Sequence, residues 1–238
     1  MTELGIAQTL GAIGTRMHDV LGAYQSGFVP VARDAGGGPH RVATADPLTV
    51  VAPDASYFLI GGGRAARGYT RDGSFVVRNG ELQARDGGAV LGFRLDAGSP
   101  APLIVDPVDL ALGRVRDLRI ERDGSLVYNR RTIEPRSGAP RAKRVVVGRL
   151  ALARFPAGTL PVRVGPTRVD APAGVLPHVG RPGDDGFTTL ATHSRDLGSV
   201  DLLSALERLQ EAYESFQAAA AAQRAQRGLE KTALDIVK

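Results

Sequence analysis

The chain has 238 residues, 43% of them hydrophobic and 23% charged, with a formal net charge of +5, which suits one sizeable core or two small domains and excludes wholesale disorder. It has no cysteine, so a disulfide framework and a thiolate metal site are excluded, while oxidising and reducing compartments both stay open. No run of about 18 apolar residues occurs, and the opening MTELGIAQTLGAIG lacks a basic stretch followed by an apolar one, so neither membrane insertion nor a cleaved signal is expected.

The first predicted element is a helix. Ile6, Leu10, Ile13, Met17, Val20 and Tyr24 fall at spacings of 4, 3, 4, 3 and 4, which sets them on one stripe. Gly5, Gly11, Gly14 and Gly22 each cost this helix about 1 kcal/mol relative to alanine, so it depends on tertiary or intersubunit contacts. Residues 32–41 contain three consecutive glycines and read as a flexible link within a linker assigned to 31–45.

From 46 to 197 short apolar runs are broken by Gly, Pro and Asp, as expected of a β-rich domain. Residues 48–51, 57–60, 74–77, 126–128, 145–153 and 162–164 are the clearest strands. Asp72-Gly73, Asp86-Gly87 and Asp123-Gly124 mark hairpin or bulge turns.

The last element is a second helix. Ser199 is its expected N-cap and Asp201 sits in the first turn. Leu202, Leu206, Leu209, Tyr213, Phe216 and Ala220 repeat the 4-3 spacing, and a continuous helix to Lys238 would run roughly 55–60 Å. The two stripes predict a pairing of N- and C-terminal helices. The expected fold is therefore a mainly β central domain with paired, coiled-coil-like terminal α-helices, the helical domain comprising 1–30 and 198–238. Leu203, Leu229, Leu234, Ile236 and Val237 add more apolar surface than one thin partner helix covers, which predicts self-association.

Charge is uneven along the chain. Residues 114–154 hold twelve Lys or Arg against four Asp or Glu, a concentration that raises nucleic-acid or envelope binding as the alternative function. Only Tyr128 within this segment and Phe155 directly after it offer a stacking face, and the arginines alternate with Val115, Leu118, Ile120 and Leu126, as on solvated strand faces. No nucleic-acid partner is expected.

Catalytic and metal-binding patterns are weak. His193, Ser194 and Asp196 are neighbours in sequence, whereas a triad requires spatial convergence. His18, His40, His178 and His193 lack paired ligand spacing, and Gly61-Gly62-Gly63-Arg64 lacks the Lys-Ser/Thr of a phosphate loop. Asp184-Asp185-Gly186 reads as a loop. The expectation is a non-enzyme without cofactor or metal.

An ordered series of segments carries a resemblance. Asp46-Pro-Leu-Thr-Val-Val, Tyr57-Phe-Leu-Ile, YTRDGSFVVRNGELQARDG from Tyr69, Ala89-Val-Leu-Gly92, IERDGSLVY from Ile120, VVVGRLALARF from Val145, HVGRPGDDGF from His178 and GSVDLLSALERL from Gly198 follow one another. In that order they resemble the bacterial flagellar hook and basal-body rod protein family, over about residues 46–216. The departures fall mostly in the helices: HDVLGAYQSGFVP echoes the family's N-terminal motif only at Leu21 and Ser26-Gly27-Phe28, and Phe216 replaces the customary tyrosine. Pro53-Asp-Ala-Ser-Tyr-Phe58 replaces a Gly-Asp-Gly-Phe-Phe segment. The resemblance implies a proximal-rod-like structural subunit, exported by the flagellar type III apparatus without signal cleavage. Such a subunit polymerises with itself and other axial proteins through its terminal helices, in the periplasm-spanning rod of the basal body.

Overall fold

The computed structural model describes residues 2–22, 41–62, 65–94, 98–134, 140–196 and 202–236. The chain divides into two compact units, one containing both long helices and the other containing the strands.

In the helical unit, α1 spans Thr2–Gly22 and α3 spans Leu202–Ile236. The 35 residues of α3 form one helix through Gly228, about 52 Å at 1.5 Å per residue. The coiled-coil-like pairing of the termini is overturned. A knobs-into-holes seam buries its apolar side chains, yet Leu10 is 52% exposed, Met17 53%, Leu206 43% and Tyr213 53%. No described apolar side chain of α1 or α3 is fully buried. The physical reason lies in the sequences between the stripes. Gly11 and Gly14 on α1 and the run of alanines after Gln217 on α3 supply no bulk to close holes around a knob.

Among the described residues the β unit contains seventeen short strands and one further helix. In chain order these are β1 (Arg41–Ala43), β2 (Val50–Val51), β3 (Ser56–Gly62), β4 (Ala65–Thr70), β5 (Phe75–Arg78), β6 (Glu81–Ala84), β7 (Ala89–Phe93), β8 (Ala101–Pro102), the helix α2 (Pro107–Ala111), β9 (Val115–Ile120), β10 (Ser125–Ile133), β11 (Pro140–Leu150), β12 (Leu152–Arg154), β13 (Val162–Arg163), β14 (Arg168–Asp170), β15 (His178–Gly180), β16 (Ala191–Thr192) and β17 (Ser194–Asp196). The main sheet runs β13-β14-β4-β3-β7-β11-β10-β9, with every recorded pairing antiparallel. β1 lies within the segment read as linker. It pairs with β17, Arg41 opposite Asp196.

The centre of this sheet is buried on both faces. On β3, Phe58 and Ile60 enter one core while Leu59 enters another. Across the ladder Leu150 and Leu152 join the first core and Ala151 and Ala153 the second, as the period of two requires. The apolar runs are therefore continuous at the centre rather than alternating with polar residues.

Turn chemistry follows the Asp-Gly pairs by one mechanism. Asp72, Asp86 and Asp123 each accept on Oδ1 the backbone N–H two residues on, from Ser74 (3.0 Å), Gly88 (3.4 Å) and Ser125 (3.0 Å). Gly87 and Gly124 adopt the positive φ that closes β6–β7 and β9–β10. Gly73 differs, because its role is close approach: an added Cβ would lie 1.8 Å from the Val50 carbonyl oxygen. The two-residue hairpin β5–β6 turns on Asn79-Gly80, both at positive φ.

Candidate functional site

The stripe residues were the expected interaction site, and they are placed as follows. Ile13 and Met17 of α1 line an open groove of about 590 Å³ together with Leu206, Leu209 and Tyr213 of α3. Val20 and Phe216 are half-buried elsewhere on their helices, and Leu10 is exposed. Ile6 and Leu202 lie on α1 and α3 with side chains outside the described set, while Tyr24 and Ser199 lie outside the described residues altogether. The groove offers apolar surface edged by Glu207 and Gln210. It suits a helix or other apolar protein surface, since contiguous exposed apolar area marks association.

The arginine-rich segment forms β9, β10, β11 and β12, and six of its eleven described cations are committed to ion pairs within the unit. Arg119 and Arg144 bracket Glu121 at 3.1 and 2.6 Å, Arg149 meets Asp184 at 2.6 Å, Arg141 meets Glu134 at 3.0 Å and Arg154 meets Asp54 at 3.5 Å. Among the described residues Arg114, Arg116, Arg122, Arg131 and Lys143 form no ion pair. β11 pairs with β10 along its length but with β7 only at Arg149 and Leu150, so its outer edge over 141–148 has no strand beside it among the described residues. Exposed Arg141, Lys143 and Arg144 on that edge oppose indiscriminate strand pairing, because a second copy would bring like charges together.

A buried polar network anchors α2 to this sheet. Asp106 caps the helix, its Oδ1 accepting the Val108 N–H at 2.9 Å, with Pro107 at the first helical position. Asp109 is wholly buried. The Tyr128 hydroxyl donates to its Oδ2 at 2.7 Å, Arg130 Nε donates to the same oxygen, and Arg130 Nη2 reaches Asp106 at 3.1 Å. The Arg130 hydrogen bond, joined by that of Tyr128, holds the Asp109 carboxyl below its ordinary range. Burial, reinforced by the bond to Asp109, pushes the Tyr128 hydroxyl up to about 12. This arrangement is a structural clamp with every titratable member engaged. The sequence signal for it was Asp106-Pro107 opening a helix inside β text, which the strand-centred reading passed over.

The remaining catalytic and ligand patterns are dispersed. Asp196 pairs with Arg71 at 3.3 Å, the Ser194 hydroxyl donates to the Thr192 carbonyl at 3.1 Å, and His193 occupies a left-handed turn at φ 53°. His178 stacks on Phe187, its Nε2 2.9 Å from the Asp185 carbonyl oxygen, and His18 is exposed on α1. His40 and Arg64 lie outside the described residues. Among the described residues no group of three His, Asp or Glu is placed to hold a metal, and no helix is long and apolar enough to cross a membrane. No model of a known protein family matches the chain, and no curated protein matches it.

Proposed function

We propose that this chain is a non-enzymatic structural subunit of the bacterial flagellar rod, adding to an axial assembly through its terminal helices. The observation that carries the reading is the open apolar surface of the helical unit, where Met17, Leu206 and Tyr213 line the groove yet stay exposed, as does Leu10 of α1. A monomer gains nothing from that exposure, whereas a helical array of like subunits covers it by a contact that repeats without closing. The ordered resemblance across residues 46–216 supports the same reading from the β unit. On this reading the partners are further copies, other rod and hook proteins and the flagellar export apparatus, and the place of work is the basal body.

Two experiments test it. Tagged protein is expected in isolated basal bodies, and its recovery solely in some other envelope fraction refutes the assignment. Replacing Leu209 and Phe216 together with Ser leaves the β unit folded, because neither residue belongs to its cores, and abolishes incorporation into the axial structure. Incorporation of that variant at the wild-type level excludes the helical surface as the polymerisation contact.

A further inference from the structure

An open strand edge lies in the β unit, where β9 begins beside a longer β10. Arg131 N–H donates to the Arg114 carbonyl at 2.9 Å, and this is the last backbone contact between the two segments. Upstream of Arg114 the chain turns away through Gly113, at φ 59°, into the end of α2. Among the described residues β10 continues alone on that side through Thr132 and Ile133, which pair only with Arg141 and Pro140 of β11. Backbone groups alternate in direction along a strand, so Ile133 N–H and C=O face the same side as Arg131 N–H, into the notch that β9 leaves.

The lining of this notch is distinctive. Leu112, Gly113, Arg114, Arg131, Thr132 and Ile133 enclose about 460 Å³. Leu112 is 56% exposed and Ile133 69% exposed. Among the described residues Arg114 and Arg131 form no ion pair, although six other arginines of the same basic segment each find a carboxylate. Two unpaired guanidinium groups flanking an open strand edge and two bare apolar side chains call for a partner with carboxylates and an apolar side chain on an extended backbone.

We propose that this notch binds an extended acidic segment of a partner protein, which adds as a strand beside β10 in the line vacated by β9. The partner's backbone pairs with Ile133, its carboxylates meet Arg114 and Arg131, and an apolar side chain covers Leu112 and Ile133. The site is separate from the helical groove, so it stands whether or not the rod reading does. Nucleic acid fits less well, because no aromatic ring lines the notch and Leu112 and Ile133 would meet phosphate or sugar.

The test uses the full chain and a fluorescently labelled heptapeptide, Thr-Glu-Thr-Val-Thr-Glu-Thr, which sets glutamate and valine on one face of a strand as Arg131 and Ile133 are set, followed by fluorescence polarisation at about 150 mM salt. Saturable micromolar binding is expected, weakened at least about tenfold in the Arg114→Glu/Arg131→Glu variant and to a similar degree in Ile133→Asp. Arg116→Glu, also a cation without an ion pair but outside the notch, changes affinity less than about twofold. Circular dichroism establishes that each variant is folded. The proposal is overturned by absence of saturable binding, by equal affinity for a glutamate-only heptapeptide, for single-stranded DNA or for anionic lipid vesicles, or by equal loss in Arg116→Glu.

Discussion

Replacing Gly73 with Ala is a sharp test of how the β unit is closed. An ideal Cβ at this position lies 1.8 Å from the Val50 carbonyl oxygen and 2.9 Å from a ring carbon of Phe58. Restoring even a 3.0 Å contact to that oxygen moves the two segments apart by about 1.2 Å. The Val50 N–H to Gly73 carbonyl bond, now 3.0 Å, would then exceed bonding range in a place where water does not replace it. An unsatisfied buried backbone pair costs about 1–3 kcal/mol, and displacing the fully buried Phe58 ring adds about 1–3 kcal/mol of overpacking. The expected loss is thus about 2–6 kcal/mol. Gly87→Ala is the control, since its φ of 94° imposes backbone strain of about 1–2 kcal/mol but its Cβ meets nothing within 4 Å. Urea unfolding followed by near-ultraviolet tyrosine dichroism reports on the β unit, where Tyr57, Tyr69 and Tyr128 reside. If Gly73→Ala loses no more stability than Gly87→Ala, the close-approach reasoning is wrong.

Further outcomes concern the helices and the Asp109 clamp. Gly11→Ala and Gly14→Ala, each with open space around the new methyl group, should stabilise α1 by about 1 kcal/mol apiece, seen as slower amide exchange along that helix. Because the folded-state carboxyl of Asp109 titrates below its ordinary value of 3.8, its contribution is present above that pH and lost as pH falls through the lower, folded value. Acid unfolding of Asp109→Asn should accordingly depend less on pH below about 4 than that of the parent; equal slopes would remove Asp109 from the account. Tyr128, raised to about 12 from 10.0, stabilises the fold below pH 10 and withdraws that contribution between about 10 and 12. Burial raises Tyr57 as well, so spectrophotometric titration should show late tyrosines, the latest of which disappears in Tyr128→Phe.

What the sequence disclosed depended on how local the signal was. Asp86-Gly87 and Asp123-Gly124 specify their own turns through a side chain bonding two residues on, so they could be read without knowledge of the fold. Gly73 carries the same pair of letters, but its need for glycine comes from Val50, a neighbour in space that no local rule reveals. The helical stripes correctly gave α1 and α3, yet spacing states which face is apolar and not whether a partner closes the holes, and so the coiled-coil pairing failed at Leu10, Met17, Leu206 and Tyr213. The clamp at Asp109 was the least legible feature. Its partners Tyr128 and Arg130 lie 19 and 21 residues away, and only the folded register of β10 brings them under α2. In the arginine-rich segment, total charge was visible while the difference between paired Arg119 and unpaired Arg131 was not.

The sheet buried on both faces has a consequence for how its strands find their alignment. In a sheet wetted on one side, a slip by one residue throws apolar side chains into water and is rejected at once. Here a slip of β12 past β3 would exchange Leu152 with Ala151 or Ala153 between two equally dry compartments. Between residues 150 and 153 polarity cannot detect that error, and it guards only the ends, where Arg149 or Arg154 would enter a core. Within that stretch size does the detecting, since one compartment would be overfilled and the other left with a void. The alignment of these central strands is therefore written in volumes, and Ala153→Leu or Leu152→Ala, each silent on a hydropathy plot, attacks it directly.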